Sequence, residues 1–392
     1  MKSTQRILAG ALLTLGLAAS PAGWAQMQGV TDTEIVLGTH LDLSGPANAW
    51  GLPIKNGMEL AVEDANAKGG INGRRIRLVI EDSAFDPKKA VLATNKMLTH
   101  DRIFAMVGSM GTAASAASMP LVLKQGLPHL FPITPAELFS DPFHKLKFAL
   151  FSPYYDDIRT GLKYTLQTTG KKRVGIMYQD DEFGANVLKG VRDQLATMNL
   201  PLVSTTSFKR GATDFSSQIA KMKSDGVDLV VLGTIIRETI GAMAAARQLG
   251  WDAEFLVTQA GYAPEVPMLG KQVVEGLRGS GQTPIPDAAT ASPELAAWLK
   301  RYEQKFSRPA NVQAVVGYVV LDTALRGLEN AGRNLTPEAV VAGIERMVNH
   351  RNIFGTTPLS FSPDNHLGAR EVFMAQIRDG KWTRLTDFMS YR

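Results

Sequence analysis

Short apolar runs of strand character alternate with longer segments of helical period, and the series runs through once and then starts again. No other feature limits the fold of this sequence so tightly. Residues 34–41 (EIVLGTHL) read as a first strand. Ile54, Met58, Ala61, Val62 and Ala65 share one helical face, which predicts a helix over about 53–67, closed by Gly69-Gly70. Further strands are predicted at 75–81, 103–107 and 126–131. Between them lie a helix capped by Asp86-Pro87 and reaching Thr99, and a small-residue helix from Thr112 to Lys124. The order restarts with strands at 148–151, 173–178, 202–208, 228–232 and 255–257. The helices between them include 156–168, a segment with Val187, Val191 and Leu195 four apart, one capped by Asp214, and one marked by Ile236, Ile240 and Met243. Strands separated by single helices pair in parallel through right-handed crossovers. Two such series predict an α/β chain of two doubly wound lobes.

The last third breaks the rhythm. Pro284, Pro286 and Pro293 interrupt it. Ser292-Pro293 then caps an amphipathic helix carrying Leu295, Trp298, Leu299, Tyr302 and Phe306. A second helix covers 312–328, Thr336-Pro337 caps a third, and 359–361, 371–377 and 382–385 read as strands. Helices without strands between them cannot extend a parallel sheet, so they are expected to pack back onto the lobes.

The first 25 residues read as a leader. Lys2 and Arg6 precede an apolar run over 7–19, followed by Ser20-Pro21 and the small-residue stretch Ala22-Gly23-Trp24-Ala25. That is the order of a secretory signal, with cleavage expected after Ala25 and Gln26 as the new N-terminus. Spanning a bilayer takes about 20 apolar residues, so the run is short for an anchor; no other run is long and apolar enough to span, and the mature chain reads as soluble. The chain has no cysteine, which excludes a lipidated N-terminal cysteine, disulfides and thiolate metal sites. The formal net charge is +5, and the leader holds two bases and no acid, leaving +3. A nucleic-acid binder concentrates its basic charge on one face, and here Lys171-Lys172-Arg173 and Arg74-Arg75 read as solvated leads into strands. The six histidines show no HxxxH or HxH spacing, and there is no GxSxG, P-loop or strand-borne GxGxxG. Asp180-Asp181-Glu182 could in principle bind a divalent cation, or supply a carboxylate to a neighbouring site, but reads as a solvated loop. The expectation is therefore a non-enzyme with no metal or cofactor. Met58, Met97, Met106, Met177 and Met222 read as core.

Several stretches in order carry a family resemblance. They are Leu43-Ser44-Gly45-Pro46, Trp50-Gly51, 57–74 (GMELAVEDANAKGGINGR), Glu81-Asp82 with Asp86-Pro87, Val107-Gly108, 178–184 (YQDDEFG) and 211–216 (GATDFS). Through them nearly the whole mature chain resembles the periplasmic binding proteins of the branched-chain amino acid (Leu/Ile/Val) type, which serve ABC transporters. The resemblance implies two Rossmann-like lobes joined by three crossovers, residues 26–148 with 286–364 and residues 149–285 with 365–392, that close by a hinge on a ligand in the cleft. It also implies a periplasmic monomer that delivers a small molecule to a membrane permease.

In open α/β sheets, ligands sit beyond the carboxyl ends of the strands. The turns there are Ser44-Gly45-Pro46, 109–112 and 132–135, all small, hydroxyl-bearing or Gly/Pro. Such turns let backbone N–H groups approach a carboxylate, and the helix starting at Thr112 adds its positive end. By resemblance, the pocket would take Trp50 from the first loop, Thr112 and Ile133-Thr134 as the carboxylate-binding positions, Phe183 where amino-acid binders usually carry Tyr, and Thr234 and Ile235 where they carry aromatics. Gln259 stands where those proteins use a Glu against the ligand ammonium. Gln cannot make that ion pair, and an ammonium buried without a counter-ion costs several kcal/mol. The expected ligand is therefore an aromatic or aliphatic carboxylate lacking an α-ammonium. The alternatives are a branched-chain or other hydrophobic amino acid, and an exported sensor that docks on a signalling partner.

Overall fold

The alternation builds two parallel-dominated sheets with helices on their faces, in a computed structural model that describes residues 27–391. The leader and its cleavage point lie outside the described residues. The first series gives β1 (Glu34–Leu41), α1 (Asn48–Ala67), β2 (Arg75–Asp82), α2 (Pro87–Thr99), β3 (Ala105–Val107), α3 (Thr112–Lys124), β4 (His129–Leu130) and β5 (Lys147–Phe148). Its five strands lie in the order β2-β1-β3-β4-β5, all parallel. The second series gives α4 (Tyr154–Thr169), β6 (Val174–Gln179), α5 (Glu182–Thr197), β7 (Leu202–Phe208), α6 (Ser216–Ser224), β8 (Leu229–Gly233), α7 (Ile236–Gln248), β9 (Glu254–Val257), α8 (Glu265–Gly270) and β10 (Arg278–Gly281). After them come α9 (Pro293–Phe306), α10 (Val312–Ala331), α11 (Pro337–Glu345), β11 (Phe373–Arg378) and β12 (Lys381–Arg384). The second sheet runs β7-β6-β8-β9-β10-β11-β12; only β11 and β12 are antiparallel to their neighbours. We call the layers around these sheets the first and second lobes.

The three C-terminal helices do pack back, onto the first lobe. Val315, Val319, Leu321 and Ile344 share one core with Ile35, Leu37 and Phe148 of the first sheet. Burying such side chains stabilises by roughly 1.5–3 kcal/mol each. All five methionines read as core are fully buried. No helix among the described residues is long and apolar enough to cross a membrane.

Three crossovers join the lobes. Ala149 and Leu367 form a parallel bridge, with Ala149 N–H donating to His366 O at 2.9 Å and Gly368 N–H to Ala149 O at 3.0 Å. The connection after β10 is held to the one after β5 by a side chain. Gln282 Oε1 accepts from Ser152 N–H at 2.7 Å, and Gln282 Nε2 donates to Ser152 O at 2.9 Å.

Four local expectations are corrected. The helix predicted from 53 starts at Asn48, with Pro53 inside it. Asp42 draws in the N–H groups of Gly45 (2.5 Å) and Ala47 (2.6 Å), which winds the loop into the helix early; Pro53 then forfeits one helical hydrogen bond. β10 was not foreseen, because Arg278-Gly-Ser-Gly has no apolar residue. Its glycines make room for rings: a Cβ on Gly279 would lie 2.9 Å from Trp382, and one on Gly281 2.4 Å from Phe373. Residues 359–361 form only a bridge from Leu359 to His350, and Phe361 instead packs against Phe131 at 5.7 Å and Phe148 at 5.9 Å. Arg74 is buried, not solvated, donating to Thr31 O at 2.6 Å and Arg333 O at 2.7 Å.

Candidate functional site

A cavity with about 720 Å³ of empty volume, part of it open to solvent, lies between the carboxyl ends of the two sheets. Seven of the eight residues singled out from the sequence line it: Trp50, Thr112, Ile133, Thr134, Phe183, Ile235 and Gln259. Thr234 does not. It is fully buried, and its hydroxyl pairs with Thr239 Oγ1 at 2.6 Å. The backbone turns there, so adjacent residues face opposite ways: Thr234 inward to α7, Ile235 into the cleft.

The first lobe contributes a polar end. Gly111 precedes α3 at φ 88°, where a Cβ would also meet the Phe85 ring at 2.7 Å. No side chain caps α3, so its first N–H groups and positive end stand open where Gly111 and Thr112 line the cavity. The neighbouring loop is tied to this one: Ile133 N–H donates to Ser109 O at 2.8 Å, and Met110 bridges to Ile133. The Thr112 and Thr134 hydroxyls lie 2.5 Å apart and are both buried. Tyr154 lines the same cavity, and burial raises its phenol pKa. Beneath the loops, burial lowers two imidazoles, His40 to about 4 and His129 to about 3. Each hydrogen-bonds a serine, Ser118 at 2.9 Å and Ser109 at 3.2 Å.

The remaining walls are mostly apolar. Phe85, Met110, Phe151, Tyr154 and Val316 join Trp50, Ile133, Phe183 and Ile235. Phe183 meets Tyr154 edge-on at 4.8 Å. Trp50 packs against cores of both lobes, and its indole N–H is buried without a partner.

Asp181 lines the cavity instead of sitting in a solvated loop, so that reading is corrected. Its carboxylate is fully engaged. Oδ1 caps α5 through Phe183 and Gly184 N–H, while Oδ2 takes Gln179 Nε2 at 2.5 Å and Arg210 Nη2 at 2.8 Å. Arg210 also donates to Phe85 O at 3.0 Å, which ties the second lobe to the first. Across the same gap, Glu265 accepts from Asn311 at 2.9 Å and Gln313 at 2.8 Å.

Gln259 lies on the second-lobe wall. Its backbone N–H donates to Asp157 Oδ2 at 3.2 Å, and its side chain donates to Ser152 O at 3.2 Å. Asp157 is wholly buried behind it, outside the cavity lining. Burial pushes its carboxyl up to about 7, against the hydrogen bond from Gln259 N–H that favours the anion. Among the described residues no three His, Asp or Glu side chains are grouped to hold a metal.

Sequence reasoning missed several lining residues. Phe85 and Phe151 follow strands and could have been found by extending the carboxyl-end rule to every strand. Thr283 was hidden with β10, and Val316 sits in an uninterrupted helical pattern that carries no signal for a site.

Two lobes joined by three crossovers, with a cavity where the carboxyl ends of both sheets converge, define a cleft-type solute-binding architecture. The chain belongs to the periplasmic binding protein family, which its residues 34–381 match. It is 24% identical over 345 residues to a leucine-, isoleucine-, valine-, threonine- and alanine-binding protein of Pseudomonas aeruginosa, covering 88% of this chain and 89% of that one. Among solved structures, the fold is similar to a fatty acid ABC transporter substrate-binding protein from Thermomonospora curvata, with TM-score 0.84, 22% identity and coverage of 94% and 95% of the two chains. It is also similar to a branched-chain amino acid ABC transporter protein from Thermus thermophilus with bound valine, with TM-score 0.81, 18% identity and coverage of 91% and 96%.

Proposed function

We propose that this protein is the periplasmic solute-binding component of an ABC importer. Its ligand is a small aromatic or aliphatic carboxylate without an α-ammonium. The observation that carries this is the asymmetry of the cavity. One end offers uncapped helix N–H groups and the Thr112 and Thr134 hydroxyls, which suit a carboxylate. The rest is largely apolar, and the one carboxylate in its lining, Asp181, is already paired with Arg210. The reading includes a monomer, exported by its leader, whose two lobes close by a hinge and present the loaded cleft to a membrane permease. Residues 26–148 with 286–364 form one moving lobe and 149–285 with 365–392 the other; the core of Ile35, Leu37 and Val315 on one side and that of Val230, Phe255 and Ile377 on the other support that division. No turnover of the ligand is part of this reading.

A thermal-shift screen of ligand-stripped protein tests it, since a ligand bound at 100 times its Kd adds about 2.7 kcal/mol of apparent stability. Simple carboxylates should raise Tm; tight leucine or valine binding by calorimetry overturns the ligand class. Amino-acid uptake is the second reading, favoured by the name of the Pseudomonas aeruginosa relative. A sensor role is separated from uptake by deleting the gene and following ligand accumulation against transcriptional response.

A further inference from the structure

The amide of Gln259 faces the cavity one way round, and that orientation bears on the ligand. We infer that the cleft ligand is a carboxylate that also carries a hydroxyl, and that this hydroxyl donates to Gln259 Oε1; the inference rests on the carboxylate reading above. Ser152 O is a peptide carbonyl and only accepts, so the group 3.2 Å from it must be the Gln259 NH2. Turning the amide over would set two carbonyl oxygens against each other. Nor is the Ser152 carbonyl free to turn away, because Gln282 Nε2 holds it at 2.9 Å while Gln282 Oε1 holds the Ser152 N–H at 2.7 Å. The NH2 is thus directed at the wall through Ser152 O.

Oε1 is left over. It takes no protein donor, it is not among the buried unpartnered atoms, and Gln259 lines the cavity. The second-lobe wall therefore presents a free neutral acceptor at Gln259. A ligand with no donor there would strip that oxygen of water and give nothing back. An ammonium has donors, but it would bring a full charge beside Trp50, Phe183 and Ile235 with Asp181 already neutralised by Arg210. A hydroxyl satisfies the acceptor without that charge.

The test is calorimetry on ligand-stripped protein with matched sets that differ in one group. One set is phenylpropanoate, phenyllactate, para-hydroxyphenylpropanoate and phenylalanine; the other is isocaproate, hydroxyisocaproate and leucine. At least one hydroxy acid should bind roughly three- to tenfold tighter than its parent acid, the gain of one net hydrogen bond. The amine should bind more weakly than that hydroxy acid. In Gln259→Met the ratio of hydroxy to parent affinity should fall to about one; if that variant misfolds, the wild-type ratios decide alone. Parent acids binding as tightly as every hydroxy acid would overturn this inference and leave the carboxylate reading standing. An amino acid binding tightest, or no acid binding at all, would overturn both.

Discussion

Thr112→Val replaces one hydroxyl by a methyl and keeps the branched shape, so it isolates what that hydroxyl does. Thr112 and Thr134 are 4% and 2% exposed, and their hydroxyls are 2.5 Å apart. Without ligand, Thr134 loses this hydrogen-bond partner, so the stability loss should be about 0.5–1.5 kcal/mol, the net worth of one neutral hydrogen bond. With ligand, a carboxylate loses a charge-assisted bond worth about 1.5–3 kcal/mol, which is roughly 10- to 150-fold in Kd. Thr112→Ser restores the hydroxyl and removes only the methyl, and should recover most of the affinity. The assay is titration calorimetry with the tightest carboxylate from the screen, beside a melting curve for each variant. A Thr112→Val protein with Kd within about twofold of wild type and an unchanged melting curve would refute the assignment, because a charge-assisted bond at the ligand cannot vanish at so small an effect.

Four further outcomes follow from the structure. Trp298→Ala empties a site ringed by Tyr302 at 5.6 Å, Tyr318 at 5.3 Å and Phe354 at 4.8 Å; unfolding should become easier by about 3–5 kcal/mol in urea titrations while ligand affinity holds. Arg210→Gln removes the bonds to Asp181 and Phe85 O that join the lobes, and calorimetry should show roughly tenfold weaker ligand binding, with no change counting against a closing role. Asp157 keeps a proton between its ordinary 3.8 and about 7 that the unfolded chain has released, so its contribution is greatest at low pH and is lost as pH rises through 7. Asp157→Asn should therefore gain more stability relative to wild type at pH 8 than at pH 5, and equal differences at both values would refute the buried-carboxyl argument. His40 and His129 act oppositely: unfolded histidine takes up a proton near 6.5 and the folded ones resist to about 4 and about 3. Their contribution is whole above pH 6.5 and falls as pH drops, so stability of His129→Asn plotted from pH 7 to pH 4 should slope less steeply than wild type.

Much of the fold was legible because β and helical periods are local properties. Asp86, Ser292 and Thr336 each cap the helix predicted from them, accepting from the N–H three residues on at 2.9, 3.2 and 3.1 Å. The misses share a cause. β10 is made of residues with no strand signal, and its glycines are explained only by Trp382 and Phe373, about 100 residues away in sequence. Arg74 looked solvated because its acceptors, Thr31 O and Arg333 O, are remote in the chain.

For the site the division is similar. The sequence by itself determined which loops follow the strands and that Thr112, Thr134 and Gln259 stand on them, since the order of elements places those loops at the carboxyl ends of the sheets. Only the tertiary structure decided which way each side chain turns. It sent Thr234 into α7 and Ile235 into the cleft, brought Phe151, Thr283 and Val316 to the same cavity, neutralised Asp181 with Arg210, and turned the Gln259 oxygen outward by setting Ser152 O behind its NH2. Those outcomes depend on contacts made through three crossovers between distant parts of the chain, and local periodicity carries no information about such contacts.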